Sequence, residues 1–247
     1  MSSDVEADRG EPAGPGASGR RPLSRELIIE TAIDFVDRHG LTALTMRRLG
    51  KQLGVEAMSL YRYVNGREDL LEGIVDRMVA ELQLHRDHEN PDATIGWQAY
   101  LQWLAHAVRG LAREHPNLFP LIATRHPAAP WLRPPLRSLR VVEDFFDTLI
   151  SRGFSDTRVV LAYRSFSSFL LGYLLLEASV LGARSSPPEE PLDEGDSHVP
   201  NADQNLDLAP FPHVRRLEEQ LSEDHAGAEF EQALEDLLDR LDRFITE

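Results

Sequence analysis

The stretch TMRRLGKQLGVEAMSLYRYV, Thr45 to Val64, decides how the rest of the chain is read. Thr45 stands where an N-cap stands, and Leu49 and Leu53 follow four apart, so one apolar stripe faces inward while Arg47, Arg48, Lys51 and Gln52 stay polar. Gly54 ends this helix, because glycine accepts the positive φ of a helix exit, and Val55 then tucks toward the core. A second short helix, about Ala57 to Tyr63, follows. Ala57, Met58 and Ser59 keep its first turn narrow enough for a major groove, Leu60 and Val64 anchor it from behind, and Tyr61, Arg62 and Tyr63 offer hydroxyl and guanidinium donors. The pattern predicts a helix-turn-helix with DNA as its partner.

Working outward, a supporting helix is predicted from Ser24, as N-cap, to Arg38, burying Leu27, Ile28, Ala32, Ile33 and Val36 and leaving at Gly40. On the other side, Asn65 with Glu68 three residues on resembles a capping box, and the helix it opens carries Leu70, Leu71, Ile74, Val75, Met78, Val79 and Leu82. That helix reads as the mechanical link between a DNA-reading head and whatever follows. A polar break is expected from Gln83 to Asp92; its His85 and His88 have metal-ligand spacing but no third ligand, so they read as a solvated turn.

The run Leu23 to Leu71 resembles the DNA-binding domain of the TetR family of bacterial transcriptional regulators, through Ala32, Gly40, Leu41, Leu44, Thr45, Arg47, Leu49, Leu53, Gly54, Val55, Leu60, Tyr61, Val64, Leu70 and Leu71. The resemblance implies that Arg47, Ala57, Met58, Ser59, Tyr61, Tyr63 and Arg67 face DNA, with Arg47, Tyr61, Tyr63 and Arg67 on phosphates. Base readout by Ala57 and Met58 is then apolar, as against thymine methyl groups.

Charge is distributed to suit this. The 247 residues carry a formal net charge of −15, which opposes DNA binding in general, yet Arg20 to Asp69 holds nine Lys/Arg against seven Asp/Glu. A mildly basic head therefore sits on an acidic body. The absence of cysteine excludes disulfide scaffolds, thiolate metal sites and cysteine nucleophiles. No signal peptide is legible and no apolar run reads as a membrane span, so the chain is placed in the cytoplasm with no membrane partner.

Residues 1–22 are rich in Gly, Pro, Ser and acid and are expected to stay disordered. Within them GPGASG, Gly14 to Gly19, lacks the flanking strand that a dinucleotide fingerprint needs. Arg20 and Arg21 stand before the first helix, either as a DNA-contacting arm or as a solvated pair. The expected organisation is thus a tail at 1–22, a head at 23–69 and a regulatory body at 70–247.

The body reads as entirely helical. Amphipathic helices are predicted from Thr94 to Glu114, from Asn117 to Ala123, across a stretch ending at Gly153, from Asp156 to Leu181 and from Ala226 to Thr246, with an acidic disordered loop at 182–212. The last helix places Phe230, Leu234, Leu237, Leu238, Leu241 and Ile245 on one seam, which its own body and a second copy are expected to cover together. No hydrolase, zinc-protease, P-loop or nucleotide motif occurs, so no enzymatic activity, cofactor or metal is expected.

From Trp97 to Leu181 the chain is similar to the regulatory domain of the tetracycline-repressor subgroup, through Trp97-Gln98, Thr124-Arg125, Gly153-Phe154, Phe169 and Gly172. The resemblance implies a homodimeric, ligand-responsive repressor of a palindromic operator. Leu121 stands where that subgroup carries a metal-binding histidine, and Gln83, Leu104 and Val108 replace its drug-contacting residues, so the expected effector is apolar and metal-free. Residues expected around it are Trp97, Tyr100, Leu104, Leu121, Phe146, Tyr163, Phe166 and Tyr173, with Arg125 and Glu177 as polar groups facing the effector or each other. The alternative is an activator, or a regulator answering to a protein partner.

Overall fold

A computed structural model of the chain describes residues 22–89, 96–124, 132, 138–181 and 207–246, with side chains described to residue 82 in the first span and to 243 in the last. Every regular element among the described residues is helical. The head consists of α1 (Arg25–His39), a 3-10 turn (Leu41–Ala43), α2 (Met46–Leu53), α3 (Ala57–Leu60) and the start of α4 (Arg67–Glu89). The body adds α5 (Trp97–Glu114), α6 (Phe119–Thr124), α7 (Leu139–Ile150), α8 (Asp156–Val180), α9 (Pro212–Ser222) and α10 (Ala226–Thr246).

Local chemistry sets these boundaries. The Ser24 hydroxyl accepts the Leu27 N–H at 3.2 Å, the Thr45 hydroxyl accepts the Arg48 N–H at 3.2 Å, and the Ser138 hydroxyl accepts the Val141 N–H at 3.3 Å. Each satisfies an orphan donor of a first turn. The Asn65 capping box takes a different form. Its backbone N–H is accepted by Asp69, at 2.7 Å, so the carboxylate in register is one residue beyond Glu68.

Two expectations about segment ends change. α4 runs through to Glu89 where a break from Gln83 was expected, because Gln, Leu, His, Arg and Glu all support a helix and no Gly or Pro interrupts them before Pro91. The helix α9 begins where the acidic loop was expected to end and fills a stretch to which no element was assigned. Pro212 starts it, and its eleven residues are all solvent-exposed, so no buried face marks it.

Two apolar cores result. The head's core gathers Ile28, Ala32, Val36, Leu49, Leu60, Leu70 and Ile74, and it also takes in Leu111 and Leu118 from the body. The body's core is built around α8, which packs on α5, α6, α7 and α10. That role corrects the expectation that no apolar run reads as a membrane span: α8 contains an 18-residue window of mean hydropathy 1.6, long and apolar enough to cross a membrane by composition. Eight of its residues are buried among its four neighbours. On α10, Phe230, Leu234, Leu238 and Leu241 are covered by the body itself.

Candidate nucleic-acid interface and inner cavity

The helix-turn-helix is held by backbone as much as by side chains. Gly54 adopts φ 66° and ψ 36°, its N–H reaches the Lys51 carbonyl at 3.2 Å, and the Val55 N–H reaches the Gly50 carbonyl at 2.9 Å. This is a Schellman exit, and it swings α3 back across α2. The approach is so close that a Cβ on Gly50 would lie 2.9 Å from the Val55 carbonyl oxygen. Nothing in the apolar pattern marks Gly50; a glycine inside an otherwise good helix is the available signal.

Leu49, Leu60 and Val64 are buried behind this turn, whereas Met58 is 73% exposed and Tyr61 47% exposed. Arg47, Tyr63 and Arg67 are also exposed, and Ala57 and Ser59 are half-buried. All seven residues expected to face DNA thus lie on α2, on α3 and its exit, or at the first position of α4. Arg67 Nε leans toward the Leu44 carbonyl at 3.5 Å. A bulky thioether held in water at the tip of a short helix costs apolar hydration unless a partner covers it, which suits a thymine methyl in a groove.

Inside the body, α4 to α8 line a cavity of about 70 Å³. Its wall is formed by Val79 and Leu82 of α4, Leu104, Val108 and Leu111 of α5, Phe119 and Ile122 of α6, Val141 and Phe145 of α7, and Phe166, Leu170 and Leu171 of α8. Ser138 and Ser167 supply the only polar side chains among these lining residues, and none is charged. That space lies below the roughly 300 to 1,000 Å³ of small-molecule sites, so a bound effector has to push the lining helices apart. Among the described residues no cluster of three His, Asp or Glu could hold a metal ion.

The residues expected around an effector occupy several places. Leu104 and Phe166 line the cavity. Tyr163 and Phe146 stand behind its wall, their rings 5.7 and 6.2 Å from that of Phe145, and burial pushes the Tyr163 hydroxyl up to about 12. Trp97 packs edge-on to Phe154 at 5.3 Å, and Tyr100 stacks on Trp103 at 6.1 Å. Leu121 packs against the head's core. Tyr173 donates to the Ala226 carbonyl at 2.8 Å, near the far end of α8. Glu177 receives a two-pronged bond from Arg109, with the shortest contact 2.8 Å, so its partner is a cation on α5. Arg125, like Arg20 and Arg21, lies outside the described residues. Phe145, Phe119, Val79, Leu82 and Ile122 were not singled out for this role, because a wall residue and a packing residue have the same helical periodicity.

The cavity adjoins the head. Leu111 and Ile122 line it and also pack with the head's apolar core, while Val79 and Leu82 belong to α4. A polar latch completes the contact: His115 Nδ1 lies 2.7 Å from Asp37 Oδ2, and Asn117 donates to the Asp37 carbonyl at 3.1 Å. The hydrogen bond to Asp37 raises the His115 pKa above its ordinary value, against the opposing effect of burial.

A family model described as bacterial regulatory proteins, tetR family, matches residues 28–74, and one described as tetracyclin repressor-like, C-terminal domain, matches residues 90–244. The chain is 32% identical over 164 residues to the HTH-type transcriptional repressor DrrR1 of Streptomyces coeruleorubidus, covering 63% of this chain and 56% of that protein. It is 28% identical over 170 residues to the tetracycline repressor protein class D of Escherichia coli, covering 68% of this chain and 73% of that one. It thus spans little more than half the length of the first relative. A crystal structure of a possible TetR family transcriptional regulator from Streptomyces coelicolor A3(2) matches with a TM-score of 0.67 and 28% identity, over 89% of this chain and 99% of that one.

Proposed function

Because this chain belongs to the TetR family of bacterial transcriptional regulators, with a tetracycline-repressor-like C-terminal domain, we propose that it is a homodimeric repressor released from DNA by an apolar small molecule. It would act in the cytoplasm on a palindromic operator. The observation that carries this reading is the apolar cavity whose wall shares Leu111 and Ile122 with the core of the DNA-reading head. A ligand that fills the space pushes on α4 and α6 together, and both are packed to the head. A differential affinity of about 1 to 3 kcal/mol between two head positions changes operator occupancy roughly 5- to 150-fold.

The same cavity bears on the effector's chemistry. With two serine hydroxyls and no charged side chain among the described residues of its wall, it suits a neutral, largely apolar molecule bearing one or two hydrogen-bonding groups. For the dimer, the support is Gly172. It lies on the exposed side of a 25-residue helix, where a Cβ would meet nothing within 4 Å among the described residues. Glycine there costs about 0.5 to 1 kcal/mol relative to alanine. The neighbouring Leu176, 72% exposed, and Leu161, 42% exposed, point the same way, toward a second helix whose backbone comes close.

Selection of binding sites from a random duplex pool tests the reading. An inverted repeat with half-sites about one helical turn, 34 to 36 Å, apart or a simple multiple of that is expected, bound by a species of two chains in sedimentation. Nile red, titrated into the complex without metal, is expected to enter the cavity and weaken operator binding, and tetracycline with magnesium is expected to leave it unchanged. Recovery of no specific sequence would refute the assignment of DNA binding; tight magnesium-dependent release by tetracycline would refute the assignment of effector class.

A further inference from the structure

The N-terminal residue of α1 reaches across the head to the place where the chain leaves α3 and enters α4. Arg25 Nη1 donates to the Tyr63 carbonyl at 3.1 Å and to Asp69 Oδ2 at 3.0 Å, and its Nη2 donates to Asp69 Oδ1 at 2.6 Å. The same Asp69 carboxylate accepts the Asn65 N–H at 2.7 Å. One ion pair therefore ties the two ends of the segment 63–69 to each other and to α1. Within that segment Gly66 takes φ 110°, so the chain turns at its most yielding residue between the two tied ends.

We infer that Arg25 and Asp69 are positioning residues for operator binding, which fix the exit of α3 against α4 and so hold Tyr61, Tyr63 and Arg67 in register with Met58. The inference rests on the DNA-binding reading above. The fork is planar and takes up both carboxylate oxygens and a carbonyl at once, a set of bonds that a single ammonium cannot reproduce. Its consequence extends along α4. Because the turn is clamped, a tilt of α4 imposed at Val79 and Leu82 is passed to the DNA-facing residues instead of being absorbed at Gly66. The Arg25 hydrogen bonds, followed by that of the Asn65 N–H, hold the Asp69 carboxyl down to about 2, so the clamp is closed throughout the physiological range.

The sign of one substitution separates positioning from simple charge. Asp69→Asn removes a negative charge from the face that meets DNA, so if Asp69 were only a surface acid the variant would bind all duplexes more tightly. A positioning role gives the opposite on the operator: affinity falls about tenfold while affinity for a scrambled duplex is kept or rises, and the specificity ratio falls. Arg25→Lys is the second variant and keeps both the charge and a side chain able to meet a phosphate. It is also expected to lose operator affinity, with the same slope of affinity against salt as the unmodified protein. Fluorescence anisotropy on operator and scrambled duplexes of equal length reads all of this, with circular dichroism to show that each variant is folded. Full or improved operator binding by Asp69→Asn, or full operator binding by Arg25→Lys, overturns the inference and leaves the repressor reading standing. If the unmodified protein has no sequence preference, the repressor reading itself fails and the inference with it.

Discussion

Replacing Arg109 by alanine removes the cation that holds α5, α8 and α10 together. Its guanidinium binds both oxygens of Glu177, donates to the Ala226 carbonyl at 3.2 Å and lies 4.4 Å above the Phe230 ring, and the Arg109 and Glu177 side chains are each only 10% exposed. Taking away one partner strands the other in a poorly hydrated place, which costs about 3 to 5 kcal/mol when the pair is buried. At about 2 to 4 °C per kcal/mol for a chain of this size, the melting midpoint should fall by roughly 10 °C. Circular dichroism at fixed protein concentration measures it, the concentration being held because association shifts the midpoint by mass action. The paired change Arg109→Met with Glu177→Leu removes both charges and keeps the volume, and it should recover most of the loss. This also separates a structural Glu177 from an effector-facing one. An Arg109→Ala midpoint within about 2 °C of the unmodified protein would refute the reasoning, since it would place the pair in the weak class of solvated ion pairs.

Three further outcomes follow from particular contacts. Gly50→Ala should cost about 1 to 3 kcal/mol and abolish operator binding, because the added Cβ would lie 2.9 Å from a backbone oxygen that cannot rotate away; thermal melts and gel shift decide it. The His115–Asp37 contact should make stability depend on pH: the folded-state pKa is raised, so the stabilisation is fully present below about 6.5 and is lost as pH rises through the folded value. Besides Asp37, Glu114 and Glu81 act on the imidazole in the same direction, and melts of the unmodified protein and His115→Gln across that range should converge on the alkaline side. Met58→Ala should change the sequence recovered by binding-site selection, whereas Tyr61→Ala should weaken binding to all sequences alike; a changed consensus for Tyr61→Ala would contradict its place on phosphate.

The head and its chemistry were legible in the residues because they depend on local interactions. An N-cap hydroxyl, a glycine at a helix exit and apolar residues four apart act over one or two turns, so Thr45, Gly54, Leu49 and Leu60 could be assigned without knowing their distant neighbours. The all-helical body was legible for the same reason, since a period of 3.6 is a property of one segment. Even α10 announced its buried seam in the order of its leucines. What periodicity could not say was which of two apolar residues on a buried face meets another side chain and which meets empty space.

Tertiary structure alone decided that. Phe145 and Phe146 are neighbours in sequence, yet the first lines the cavity and the second packs behind it, because α7 turns by about 100° per residue and the surrounding helices select the face. It also decided the charged partners. Glu177 and Arg109 lie 68 positions apart, and Arg25 and Asp69 lie 44 apart, so each pair exists only once the helices have crossed. The helix α9 stayed unread although Val214, Leu217 and Leu221 stand three and four apart, because that short stripe follows a Pro- and acid-rich stretch and the helix buries nothing among the described residues. Local propensity thus determined what the elements are and that two of them form a helix-turn-helix. The crossings of those elements determined where space, charge and head-to-body contact fall, because such contacts are made between residues whose separation along the chain carries no signal of their distance in space.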